Sequence, residues 1–246
     1  MTKDPNREYS EDQIRRYIRM EPIPYANNVR KEFKKRTMVG LVLFDVGGVL
    51  IDLQSEQARR SLVSEYGMTT TAYEGLSRCT YEKEPFSITE EATIGAVGSD
   101  EYIDAFRAAC GRFVPASAIK QNRESIIGHE RPAMIELVST LSERVRVAAF
   151  TNTIDMHWEM LQNRDRFSFP TIVEQTIASH IIGVAKPTKA AYQEVTRRLE
   201  IDPAEVLFID DSGINVSAAI ECGMRGIVYN SYRDLVENLH KEELLP

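Results

Sequence analysis

Four short stretches of this chain carry side chains suited to chemistry rather than packing. In LVLFDVGGVL, residues 41–50, four apolar residues run directly into Asp45, and Gly47 and Gly48 follow. VRVAAFTN contains Thr151 and Asn152, GVAKPT contains Lys186, and VLFIDD ends in Asp210 and Asp211. A carboxylate at the end of a buried strand is costly unless something uses its charge. Crowded carboxylates raise one another's pKa values unless a cation intervenes. A hard divalent ion with oxygen ligands, beside a phosphate, suits such a set, and Mg²⁺ is the ion inferred. Each residue alone has a plainer reading: Asp45 as a turn residue, Thr151 as a capping hydroxyl, Lys186 as a solvated surface cation. Their joint occurrence, each at a strand end or in the loop after it, is what points to a site.

For these groups to meet, the strands that carry them must lie side by side. The runs at 41–45, 145–151 and 206–211, with GIVY (226–229) as a fourth, read as short strands covered on both faces. Helical patterns separate them. PAMIELVSTLSER starts with Pro132, which helices tolerate near their start, and places Met134, Leu137 and Leu141 on one face. TKAAYQEVTRRLE turns Ala191, Tyr192, Val195 and Leu199 inward, and NVSAAIECG stops at Gly223. Strand and helix in alternation imply right-handed crossovers and a parallel sheet, with ligands outside the carboxyl ends of its strands. Between 54 and 130 the texture turns helical, in SEQARRSLVSEYG, SDEYIDAFRAACGRF and ASAIKQNRESIIGH. Tyr102, Phe106 and Cys110 form one apolar stripe in the second of these.

Composition narrows the classes of function. The chain has 246 residues, 43% hydrophobic and 27% charged, as in ordinary globular proteins of one or two domains. Residues 1–40 hold ten Lys or Arg against six Asp or Glu, whereas residues 41–246 hold 20 against 31. So acidic a body argues against nucleic-acid binding, and the basic leader with VRKEFKKR (29–36) reads as a solvated extension or a docking segment for a protein partner. No apolar run approaches the roughly 20 residues of a membrane span, and the charged opening lacks a signal-peptide centre. Three widely spaced cysteines, Cys79, Cys110 and Cys222, suit reduced thiols in a cytoplasmic protein and read as packing residues.

FDVGGVL, FTNT, AKP and FIDDSGINVSAA, in that order, resemble the four motifs of the haloacid dehalogenase superfamily, and most closely its phosphatase-like members with a helical cap after the first motif. The resemblance implies a Rossmann-like, three-layered α/β core over 40–53 and 131–246, a helical cap over 54–130 and a basic N-terminal extension over 1–39. It also implies roles. Asp45 is the nucleophile of an aspartyl-phosphate intermediate, held ionised by metal and lysine. Asp45, the Gly47 carbonyl, Asp211 and Asp210 hold Mg²⁺, Asp210 as a ligand or as an acceptor behind the ligands. Thr151 and the Asn152 amide bind phosphate oxygens of a small phosphorylated substrate, and Lys186 neutralises charge. Gly47 departs from the usual pattern, which has a second aspartate that protonates the leaving group and activates water. General acid–base catalysis typically contributes about 10²–10⁴-fold, so two other readings stay open: a weak or silent binding protein, and a 2-haloacid dehalogenase. Arg78, Tyr81 and Lys83 in the cap are candidates for substrate selection, and His157 with Trp158 reads as a packed helix pair rather than an entrance lining.

Overall fold

The computed structural model describes residues 38–246 except Lys83. The leader (1–39) therefore lies outside the described residues but for its last two, and Lys83 lies outside them as well. β1 (Leu41–Phe44) is the centre of a five-stranded parallel sheet. On one side it pairs with β4 (Arg146–Thr151) and beyond that β5 (Gln175–Ala178); on the other with β6 (Val206–Asp210) and β7 (Arg225–Val228). The register sets Phe44 beside Ala149 and Ile209, so the three central strands end together.

Successive strand residues face opposite sides, and β1 shows the consequence. Val42 and Phe44 enter one apolar cluster, with Met134, Leu137, Val138 and Leu141 of α6 (Pro132–Ser142) and Leu235 and Leu239 of α12 (Tyr232–Lys241). Leu41 and Leu43 enter the other, with Ala191, Tyr192, Val195 and Leu199 of α10 (Lys189–Leu199) and Val216 and Ala219 of α11 (Gly213–Glu221). A sheet covered on both faces explains why its strands read as continuous apolar runs. The result is a three-layered α/β fold.

Five helices leave this core after β2 (Ile51–Leu53): α1 (Ser55–Ser64), α2 (Thr70–Ser77), α3 (Ile88–Thr93), α4 (Ser99–Ala108) and α5 (Ala116–Glu124). The chain returns through β3 (Ile127–Glu130), which pairs antiparallel with β2. The sequence reading carried the last helical pattern on to residue 129; instead it stops at Glu124, and a strand begins where β2 offers a partner. The helices bury Leu62, Met68, Tyr102, Ile103, Phe106 and Ile119 together, and Ile154 and Met156 of the core join them. Ser179 adds a polar stitch: its Oγ donates to the Thr93 carbonyl at 2.7 Å and accepts the Thr153 N–H at 3.0 Å. Cys110 and Cys222 are partly buried, but Cys79 is exposed in the loop after α2, so it is not a packing residue. Among the described residues no helix is long and apolar enough to cross a membrane.

Candidate active site

Asp45 follows β1 directly, and its N–H donates to the Ile209 carbonyl at 2.8 Å, which ties it to β6. Its Oδ1 accepts the Val46 N–H at 2.7 Å and lies 2.8 Å from Lys186 Nζ. Nζ also donates to Asp210 Oδ2 at 2.7 Å and to the Phe150 carbonyl at 3.1 Å. Lys186 is 1% exposed and Asp210 fully buried, so this is a charge cluster in a medium where pairing counts. Carboxylate oxygens of Asp45, Asp210 and Asp211 all lie within 4.8 Å of one another, the one group of acidic, His or Cys side chains among the described residues that could hold a metal ion.

The three acids are not equivalent. Asp210 Oδ1 accepts the Ser212 N–H at 2.8 Å, and Asn215 Nδ2 lies 3.1 Å from both oxygens. With Lys186 added, Asp210 is largely committed to protein donors, which favours the role behind the ligands. Asp45 Oδ2 and the partly exposed Asp211 have acceptor capacity left. Burial pushes Asp45 up to about 7, against the pull of Lys186 and with a push from Asp210. The sequence reading expected an acid held low by metal and lysine together; lysine alone does not achieve it. Burial and then Asp210 also raise Asp211, and the two carboxylates outweigh burial to hold Lys186 above the usual lysine range. Oxygen-only donors whose charge is under-compensated by a single lysine fit a hard divalent cation.

The glycines make room at this turn. Gly48 has φ +79°, and a Cβ there would stand 2.2 Å from Asp211 Oδ2, so any other residue would be strained and would displace the Asp211 carboxylate from the site. Gly47 is held in the turn by Gly48 N–H donating to the Ile51 carbonyl and Ile51 N–H to the Val46 carbonyl, bonds that leave the Gly47 carbonyl unused among the described residues. A Cβ on Gly47 would meet Leu53 Cδ1 at 3.0 Å, so a leucine methyl takes the space beside the absent aspartate. Thr151 ends β4, buried at 4% exposure beside the β1 terminus.

Asn152 does something its motif did not reveal. Its Oδ1 accepts the Lys186 N–H at 3.0 Å while its Nδ2 donates to the Lys186 carbonyl at 2.8 Å, a two-point clasp on the backbone of the buried lysine. The side chain is thus spent on Lys186, and only the backbone amide is left for a ligand. Asn215 and Arg131 were missed altogether. Arg131 Nε donates to Asp52 Oδ1 at 2.7 Å, and its Nη1 donates to the Gly48 carbonyl, so the return strand's end holds the turn after Asp45. The signal for Asn215 was its place five residues after Asp210, at the start of a helix; Arg131 gave none. His157 is buried, its Nε2 2.8 Å from the Arg123 carbonyl; burial lowers it to about 4, so at neutral pH it is the donor.

The profile of the haloacid dehalogenase-like hydrolases matches residues 39–223, most of the chain and all of the site just described. The chain belongs to that family. Its curated relatives include the chloroplast flavin mononucleotide hydrolase 1 of Arabidopsis thaliana, 33% identical over 107 residues, 43% of this chain and 42% of the relative. The acyl-CoA dehydrogenase family member 10 of Mus musculus is 23% identical over 80% of this chain and 18% of its own length, so the chain spans less than half of either protein. The D-ribitol-5-phosphate phosphatase of Bacteroides thetaiotaomicron is 21% identical over 76% of this chain and 89% of its own. Among solved structures, an enzyme of the family from Bacteroides thetaiotaomicron in complex with magnesium and inorganic phosphate aligns with a TM-score of 0.65 and 26% identity, covering 80% of this chain and 98% of that one. The L-2-haloacid dehalogenase of Xanthobacter autotrophicus shares the fold at a TM-score of 0.56, with 20% identity over 85% of each chain.

Proposed function

We propose that the chain is a Mg²⁺-dependent phosphatase of small phosphorylated metabolites that works through an aspartyl-phosphate on Asp45. The observation that carries this reading is the convergence of Asp45, Asp210 and Asp211 on one another with Lys186 between two of them. Two relatives are named for hydrolysis of phosphate esters, and flavin mononucleotide and D-ribitol 5-phosphate share a phosphorylated ribityl chain. A pentitol 5-phosphate is therefore one member of the substrate panel.

Asp45, Asp211 and the Gly47 carbonyl would hold the ion, with Asp210 behind them. When bound, Mg²⁺ supplies positive charge against the phosphate oxygens. Asp45 Oδ2 forms a bond to phosphorus as the ester P–O bond breaks, in line, and the electron pair leaves on the substrate oxygen. That oxygen takes its proton from water, because Gly47 offers none. Water then adds to the phosphorus, gives its proton to solvent, and frees inorganic phosphate and Asp45. Thr151 Oγ1–H and the Asn152 N–H donate to the phosphate oxygens, while Lys186 offsets charge on Asp45 and the transferring group. The helical insert over 54–130 serves as a cap that excludes water. A cytoplasmic setting and a protein partner for the basic leader complete the reading.

The test is phosphate release from p-nitrophenyl phosphate and the panel, with Mg²⁺ and with chelator, on wild type and Asp45→Asn. Release that needs Mg²⁺ and falls at least about 10³-fold in Asp45→Asn is the expected outcome. Halide release from a 2-haloacid in chelator would make it a dehalogenase instead. Thermal stabilisation by Mg²⁺ with phosphate but no turnover on any ester would make it a binding protein.

A further inference from the structure

Two adjacent glycines carry the turn on which the ion would rest, and a turn of glycines does not hold its own shape. Gly48 has φ +79°, in a region that glycine enters and leaves at little steric cost. The peptide before it is fixed by its N–H, which donates to the Ile51 carbonyl at 2.9 Å. In a trans peptide the C=O points opposite to the N–H, so this bond aims the Gly47 carbonyl away from Ile51. The peptide after Gly48 needs a second hold, and Arg131 supplies it by donating from Nη1 to the Gly48 carbonyl. With both flanking peptides bound, the φ and ψ of Gly48 are set.

Arg131 is itself held in place. Its N–H donates to the Leu50 carbonyl at 2.9 Å, inside the same turn, and its Nε to Asp52 Oδ1 of β2 at 2.7 Å. Its guanidinium stands 5.6 Å from the Tyr229 ring, and the Tyr229 N–H donates to the Asp210 carbonyl at 2.9 Å. Gly48 in turn lies against Asp211, whose carboxylate crowds the place a Cβ would take. Burial and Asp210 raise Asp211, and Lys186 and, less, Arg131 pull it back down. One cation from the end of the insert's return strand thus spans from the turn after Asp45 to the residue that follows β7.

We infer that Arg131 is a positioning residue of the metal centre, which clamps the Gly47–Gly48 turn so that the Gly47 carbonyl and the Asp211 carboxylate stay placed to share an Mg²⁺ ion. The inference rests on the metal-dependent phosphatase reading above and adds to it a residue outside the four sequence motifs. Arg131 acts through Gly48 and not on the reacting atoms.

Mg²⁺ binding tests it, measured by titration calorimetry with Mg²⁺ alone and with Mg²⁺ and inorganic phosphate, on wild type, Arg131→Met, Arg131→Lys and Asp52→Ala. Losing a partner that orients a metal ligand typically costs about 10–100-fold in affinity, and the Kd of Arg131→Met for Mg²⁺ should rise by that much. Arg131→Lys, whose ammonium can still donate to the Gly48 carbonyl, should recover part of the loss. Asp52→Ala removes only a surface pair, its acid 57% exposed, and should shift the Kd by less than about threefold. Phosphate release from p-nitrophenyl phosphate should show the same split: Arg131→Met needs more Mg²⁺ for its half-maximal rate and approaches the wild-type kcat at saturation. A folded Arg131→Met that binds Mg²⁺ within about threefold of wild type overturns the inference, even where its metal-free melting temperature has dropped. So does an Asp52→Ala loss as large as that of Arg131→Met, because the ion pair and not the clamp on Gly48 would then set the affinity. Should Arg131→Met not fold, Arg131→Lys decides, a raised Kd supporting the inference and an unchanged one overturning it. No Mg²⁺ binding by wild type would overturn the metal reading and this inference with it, whereas equal binding by wild type and variant overturns the inference alone.

Discussion

Glu90 in the insert and Asp45 in the core are both carboxylates withdrawn from water, and they are finished differently. Glu90 accepts from Arg78 Nε and Nη2 and from the N–H groups of Thr80, Tyr81 and Ser87, five donors on two oxygens. Burial opposes its ionisation, but the Arg78 guanidinium and those amides outweigh it and hold the carboxyl below its usual range. Asp45 has two donors, both on Oδ1, and burial pushes it the other way, up to about 7. Burial alone therefore does not mark a reactive acid. Glu90 is a structural knot that ties Arg78, Thr80, Tyr81 (φ +57°) and Ser87 to one carboxylate, whereas Asp45 retains an oxygen for an incoming group.

The comparison is broken most severely at Lys186. Lys186→Met leaves Asp45 and Asp210 buried against each other with no cation between them. Removing one partner of a buried charge pair typically costs about 3–5 kcal/mol, and losing one electrostatic stabiliser of a transition state costs about 10²–10³-fold in rate. Urea unfolding and phosphate release measure the two losses. Adding Asp210→Asn should recover part of the stability and none of the activity. A Lys186→Met variant as stable as wild type would show that the core cluster is no more under-compensated than Glu90's.

At Glu90 the expectation is a loss of stability without loss of chemistry. Glu90→Gln keeps the shape but gives up the charge, and Arg78, 33% exposed, is able to turn to water, so the cost is about 1–3 kcal/mol. The pH dependence has a definite sign. A carboxyl whose folded pKa lies below its unfolded 4.5 contributes stability that is complete above 4.5 and fades as pH falls through the folded value. Wild type and Glu90→Gln should therefore converge in unfolding midpoint as pH drops from 6 to 3, while kcat at neutral pH stays within a fewfold. Midpoints that stay parallel over that range would mean that Glu90 is not charged in the folded protein.

Most of this architecture was legible because both layers write periodic patterns. Ala191, Tyr192, Val195 and Leu199 were read as one inward face and are all buried. Asp45, Thr151 and Asp210 were read as strand ends and stand at the ends of three neighbouring strands. What escaped depends on partners distant in sequence. β3 is a strand because β2 pairs with it, and IGHE alone has no strand period. β5 is a short edge strand, and its QTIA is equally ordinary in a loop. The Asn152 clasp and the Arg131 bond to the Gly48 turn join residues separated by 34 and 83 positions, and no local pattern encodes such bonds.

The smallest effect, and the one that sharpens the contrast between a finished and an unfinished acid, lies at Gly47. Gly47→Asp puts a carboxyl beside Asp45 at a residue with ordinary backbone, and its Cβ meets only the end of Leu53, a side chain 45% exposed and able to turn aside. The variant should fold, the more readily with Leu53→Ala. If lack of a general acid limits turnover, the new carboxyl should raise kcat on an alkyl phosphate by at least about tenfold, part of the roughly 10²–10⁴-fold that such catalysis contributes when fully optimised. It should change p-nitrophenyl phosphate little, because a nitrophenolate leaves without a proton. An equal gain on both esters would point to tighter metal binding instead, and no gain in a folded variant that still binds Mg²⁺ would place the slow step elsewhere than in protonation of the leaving oxygen.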